Sequence, residues 1–187
     1  MNRAELEVGG DGVGVLRLAS PDGRNVLGVA DIARMIELVD RVAGDDAIRA
    51  LVLAGGENFS AGTDFDQGMR HRLDPEAGGL AYRFLADQKT LCDRIRGLRI
   101  PTVSLARGLC TGPALGIAAA ADVLITDTTT RIQLPEVKVG LMPGNGATWF
   151  LPRRMGPAVA KYFGLTASSM RPNDSGAGAP SCSPPNR

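Results

Sequence analysis

Apolar and polar positions along this chain keep two different rhythms. Residues 5–9 and 13–18 read as two short strands around a GGDG turn. From Asp31 to Ala43 the spacing changes. Ile32, Met35, Ile36, Val39 and Val42 recur at helical intervals, with Asp31 as the expected N-cap. "RALVLAG" (Arg49–Gly55) is a short continuous apolar run closed by glycines, the pattern of a strand buried on both faces. A polar, glycine-bearing loop covers Glu57–Gly79. Leu80, Phe84, Leu91, Ile95 and Leu98 then form one stripe and predict a helix over about residues 80–98. "IPTVSLARG" (Ile100–Gly108) predicts another buried strand, "PALGIAAAA" (Pro113–Ala121) a helix of small residues, and "DVLITD" (Asp122–Asp127) a further strand. "GPAVAKYFGLT" (Gly156–Thr166) is helix-like. Strands alternating with helices in this order point to an α/β architecture built from crossover units.

The end of the chain differs in kind. "SSMRPNDSGAGAPSCSPPNR" has no periodicity and is dense in serine, proline and glycine. Such a segment buries too little apolar surface to offset its ordering entropy. The expectation is one folded domain over residues 1–166 and a disordered tail over 167–187.

Composition narrows the functional classes. With 187 residues the chain is long enough for one domain with a real core. Lysine plus arginine number 21 against 20 acidic residues, a net charge of +1, which makes no electrostatic case for nucleic acid. Cys92, Cys110 and Cys182 have no paired or CxxC spacing, which argues against a disulfide framework or zinc site and fits a reducing, cytoplasmic setting. His71 is the only histidine, so a metal site built on several histidines is excluded and no metal is expected. The N-terminus lacks an apolar signal core. The longest apolar stretch, Leu115–Ala121, is too short to span a bilayer.

Three segments carry a resemblance when taken in order. They are "ENFSAGTDF" (Glu57–Phe65), "ARGLCTGPALGIAAAAD" (Ala106–Asp122) and "IQLPEVKVGLMPGNGATWFLPRRMG" (Ile132–Gly156), supported by "RNVL" at Arg24–Leu27 and "IRALVLAG" at Ile48–Gly55. Together they resemble the enoyl-CoA hydratase/isomerase superfamily, the crotonases, over most of the chain up to about Thr166. The resemblance implies a spiral of ββα repeats and an acyl-CoA thioester as substrate, with coenzyme A entering only as part of it and no separate cofactor. It also implies two backbone N–H groups aimed at the thioester oxygen, where charge develops as an enolate forms. One donor position matches Thr63. The other, aligned from Asp122 without a gap, matches Pro113, and proline has no N–H. The alternative donors are Gly112 and Ala114 in a shifted register. Pro113 also reads simply as the first residue of a helix, where proline is favoured.

Hydratases of the family use two glutamates. The first position matches Gly116, which cannot transfer a proton, and the second matches Glu136. A single carboxylate suits proton transfer between C2 and C4, the work of enoyl-CoA isomerases. Without the resemblance Glu136 reads as a solvated acid after a proline turn. Asn25, Ala61, Gly62, Asp64, Phe65 and Gly112 are the implied substrate-binding positions. Asp64 also reads as an Asx-type turn residue, and Arg24 with Asn25 as an exposed turn. His71 reads as solvent-exposed, and Trp149 and Phe150 as packing residues on a helix. Family members continue past "LTG" into helices that cover the acyl pocket and support trimers. Here the polar tail stands in that place, so a truncated or frameshifted member is expected and a family-type homotrimer is not. The implied activity is isomerisation before hydration. A non-catalytic acyl-CoA-binding remnant or an inactive gene product is the alternative.

Overall fold

The computed structural model describes residues 4–64 and 78–171. Strand β1 (Ala4–Val8) runs antiparallel to β2 (Val13–Leu18), and β2 then pairs in parallel with β3 (Ala50–Ala54). Next come β4 (Thr102–Ala106) and β6 (Val123–Thr126), giving a five-stranded sheet ordered β1-β2-β3-β4-β6. A second, smaller sheet joins β5 (Leu109–Thr111), β7 (Arg131–Gln133) and β8 (Ser169–Met170). Isolated bridges Leu27–Thr63 and Ser60–Cys110 extend this second layer toward the front of the chain. Each turn of the chain thus lays one strand in the large sheet and one short segment in the small one. A helix follows: α1 (Val29–Ala43), α2 (Gly78–Gly97) and α3 (Pro113–Ala120). This is the predicted ββα spiral.

Two expectations need correction. Asp31 lies inside the first turn of α1, not at its N-cap. Gly28 is the cap, and its N–H donates to Asp31 Oδ2 at 2.9 Å. The order of the chain also runs past Thr166. Helices α4 (Ala147–Met155) and α5 (Pro157–Thr166) are followed by β8, whose Met170 pairs with Ile132. Paired structure thus runs four residues beyond Thr166, to Met170, because Ser169–Met170 finds a ready strand edge in β7. Residues 172–187 of the expected tail lie outside the described residues.

Helix α3 has the least choice about its surroundings. Every residue from Ala114 to Ala120 is buried, so it has no solvent face. Its small side chains let neighbouring backbone approach closely, but its terminal carbonyls are then cut off from water. Arg154 of α4 answers that need. Its Nε and Nη2 donate to the Ala119 carbonyl at 3.1 and 3.0 Å, and Nη2 also donates to the carbonyls of Ala121 and, at 3.4 Å, Asp122. A buried positive charge at a helix C-terminus also favours the backbone dipole. Asp122 then ties the helix end to β4, accepting from the Thr102 N–H and Oγ1 at 2.9 Å each. No described helix is long and apolar enough to cross a membrane.

Replacing Arg154 by methionine keeps most of the volume and strands several carbonyls. A loss of roughly 3 kcal/mol of folding stability is expected. Chemical denaturation checks it, and a loss below about 1 kcal/mol would mean that Arg154 does not hold this helix end.

Candidate active site

Three loops meet beside the start of α3. The first, Phe59–Asp64, leaves the end of β3 and is held on both sides. Phe59 N–H donates to the Arg107 carbonyl at 2.7 Å and Ser60 N–H to that of Leu109 at 2.9 Å. On the other side, Ala61 N–H donates to the Arg24 carbonyl at 2.8 Å, Leu27 N–H to that of Gly62 and Asp64 N–H to that of Leu27, both at 2.9 Å. Gly62 has φ +100°, and a Cβ there would lie 3.0 Å from the Thr111 carbonyl oxygen, so the position demands glycine. Its own N–H donates to Ser60 Oγ at 3.0 Å. Thr63 is the exception in this series. Its N–H takes no acceptor among the described residues, and the residue lines a cleft of about 480 Å³.

Asn25 supports this loop from behind instead of lining the cleft, which corrects its expected substrate-binding place. It is buried, its Nδ2 donates to the carbonyls of Asn58 at 2.8 Å and Phe59 at 3.2 Å, and its Oδ1 accepts from Ser20 N–H. Those bonds consume its polar atoms. Ala61, Gly62, Asp64 and Gly112 do line the cleft. Phe65 and His71 lie outside the described residues.

The second loop is the helix entry. Gly112 adopts φ +55° and is the N-cap of α3, with Pro113 as the first helical residue. The Gly112 N–H is already spent on the Gln133 carbonyl at 2.8 Å. Ala114 is fully buried and is not among the residues lining the cleft. Neither alternative register therefore offers a donor to the cleft, while Pro113 lines it with no N–H to give. Gly116, one turn further on, faces the turn before α4. A Cβ on Gly116 would fall 2.4 Å from the Asn145 carbonyl oxygen and 3.0 Å from Asn145 Cβ. The backbone of Asn145, itself at φ +52°, fills the space a side chain at 116 needs.

The third element is a short 3-10 turn, Pro135–Val139, which carries Glu136. The side chain packs over Gly112, where a Cβ would stand 3.3 Å from Glu136 Oε1. Glu136 is only 9% exposed, and neither carboxylate oxygen has a hydrogen-bond partner among the described residues. Burial pushes its pKa above the ordinary glutamate value, opposed to a smaller degree by its own backbone amide. The reading of Glu136 as a solvated acid is thus set aside.

Apolar side chains of Phe84, Leu85, Val139, Leu141 and Met142 form much of the cleft wall. Two polar residues that sequence reasoning missed, Gln88 and Asn145, also line it. The available signal was Gln88 itself, a polar residue on the buried Phe84–Leu91 stripe of α2. Cys92 and Cys110 supply no nucleophile, since burial pushes both thiols up to about 12. Among the described residues no group of three metal-ligating side chains comes together. Phe150 is buried as expected, whereas Trp149 is partly exposed and lies between the guanidinium groups of Arg96 and Arg153, 4.0 and 3.8 Å from its ring centre.

Comparison with known proteins identifies the family. The sequence profile described as enoyl-CoA hydratase/isomerase matches residues 13–177. The chain is 34% identical over 173 residues to a fatty acid oxidation complex subunit alpha of Idiomarina loihiensis, covering 89% of this chain and 24% of that protein. It is 31% identical over 160 residues to a probable enoyl-CoA hydratase, EchA14, of Mycobacterium tuberculosis, covering 82% of this chain and 59% of the relative. The crystal structure of an enoyl-CoA hydratase from Shewanella pealeana superposes with a TM-score of 0.83 at 26% identity, over 93% of this chain and 64% of that one. The chain therefore spans less than two thirds of the length of these relatives. Within that span the fold and the profile agree, and the chain belongs to the enoyl-CoA hydratase/isomerase family.

Proposed function

We propose that the cleft binds an acyl-CoA thioester and moves a double bond from C3–C4 to C2–C3, with Glu136 as the proton carrier. The observation that carries this reading is the Glu136 carboxylate, buried at the cleft and without a partner on either oxygen among the described residues. A raised pKa suits a group that must both take and return a proton near neutrality. Glu136 removes a proton from C2 of a 3-enoyl thioester. The electron pair of that C–H bond forms a C1–C2 double bond while the carbonyl π pair moves onto the thioester oxygen, giving a dienolate conjugated with C3–C4. The Thr63 N–H, without an acceptor among the described residues, donates to that oxygen. Protonated Glu136 then delivers the proton to C4, and the double bond settles at C2–C3. No atom is gained or lost.

Hydration fits less well. It requires a second acid–base group, and the matched position, Gly116, has no room for any side chain. Pro113 also removes one expected oxyanion donor, a loss of roughly 3–4 kcal/mol of transition-state stabilisation in related sites. That loss favours, as a second reading, acyl-CoA binding with little turnover. The two readings differ in whether double-bond migration occurs at all.

Glu136→Gln preserves shape and removes the base. Isomerisation of a 3-enoyl-CoA is expected to fall at least about 100-fold, and a variant that keeps the wild-type rate contradicts the assignment. Stability should move the other way. A carboxyl whose pKa is raised on folding binds more protons in the native state, so stability falls as pH rises from the ordinary glutamate value through the raised one. Glu136→Gln should therefore melt at or above the wild type at neutral pH, with the difference closing on acidification.

Pro113→Gly returns an N–H to the helix entry. The isomerase rate is expected to rise by about tenfold or more, while stability drops by about 0.5–1 kcal/mol from added freedom in the unfolded chain. Steady-state kinetics and thermal melting check both. An unchanged rate would mean that Pro113 is no lesion.

A further inference from the structure

The cleft also holds an amide pair that the proposed isomerisation does not use. Asn145 Nδ2 donates to Gln88 Oε1 at 2.7 Å and faces the Pro113 carbonyl at 3.4 Å. The nearby carbonyl acceptor fixes which way the Asn145 amide points. Gln88 is 1% exposed and Asn145 7%, so both side chains are withdrawn from bulk water. An amide carries a donor and an acceptor end, and two amides facing each other can close two hydrogen bonds. This pair closes one. Gln88 Nε2 and Asn145 Oδ1 have no partner among the described residues, and both residues line the cleft.

A donor and an acceptor left unpaired by the described residues, on two bonded side chains that line one cleft, match one chemical group better than others. A hydroxyl both accepts and donates, so a single hydroxyl completes the pair, accepting from Gln88 Nε2 and donating to Asn145 Oδ1. A methyl or methylene there leaves two buried polar groups unmet, which costs affinity. The turn that carries Asn145 abuts Gly116, so the pair stands beside α3, in the same cleft as Thr63 and Pro113.

We propose that Gln88 and Asn145 form a polar subsite that selects acyl chains bearing a hydroxyl group over plain alkyl chains of the same length. This rests on the acyl-thioester reading of the cleft. It does not depend on turnover, because it concerns binding alone. Gln88 and Asn145 act here as specificity residues, and Glu136 keeps its separate role.

Calorimetric binding of butyryl-CoA, 3-hydroxybutyryl-CoA and 4-hydroxybutyryl-CoA to the whole chain tests it. At least one hydroxylated ester is expected to bind about tenfold or more tighter than butyryl-CoA. Gln88→Met, which keeps the length and removes the free donor, should bring the three affinities within about threefold of one another. Equal binding of all three by the wild-type protein overturns the subsite and leaves the thioester reading standing. A hydroxyl preference that survives in Gln88→Met also overturns it. Failure of all three esters to bind contradicts the thioester reading itself, and the subsite falls with it. The wild-type comparison decides the matter even where the variant does not fold.

Discussion

A helix with no face on water is the constraint from which the rest of this structure follows. Helix α3 is short, built of alanine, glycine, leucine and isoleucine, and buried from Ala114 onward. Such a helix can be packed only if its neighbours come close and its ends are satisfied by protein. At the C-terminal end Arg154 and the Asp122–Thr102 clip do this. At the N-terminal end Gly112 turns with a positive φ, and Pro113 starts the helix with one donor fewer to satisfy. The entry so formed is one wall of the cleft.

The same packing sets the chemistry. Because Gly116 has no side chain, the turn at Asn145 can press against α3, and the space for a carboxylate at that position is gone. Because Gly112 has no side chain, Glu136 can lie over the helix entry, out of water. One carboxylate is excluded and the other is desolvated by the same preference for small residues. On the proposed reading this leaves a site with one proton carrier, one free backbone donor at Thr63, and an amide pair in place of a second acid. Hydrogen bonds at Ala61, Gly62 and Asp64 hold the loop that carries Thr63, whose own N–H meets no acceptor among the described residues.

Much of this was legible in the sequence wherever periodicity had room to show. The stripes of α1 and α2 and the apolar runs of β3, β4 and β6 extend far enough to declare their type. Strands β5, β7 and β8 have two or three residues each, too few for any alternation to register, and they were missed. Glu136, Thr63 and Pro113 were found only through resemblance, since nothing in spacing distinguishes them. Asn25 was misplaced because its function is to hold backbone carbonyls more than thirty positions away, a contact that local sequence does not carry. Asn145 and Gln88 escaped for the same reason: their hydrogen bond spans 57 positions.

The central claim is that this cleft transfers a proton and does not add water. The most direct measurement supplies a 3-enoyl-CoA and, separately, a 2-enoyl-CoA in heavy-oxygen water and follows the products by mass. The account predicts double-bond migration from the 3-enoyl ester with no heavy oxygen in either product pool. Labelled hydroxyacyl-CoA formed as fast as the double bond migrates would contradict it.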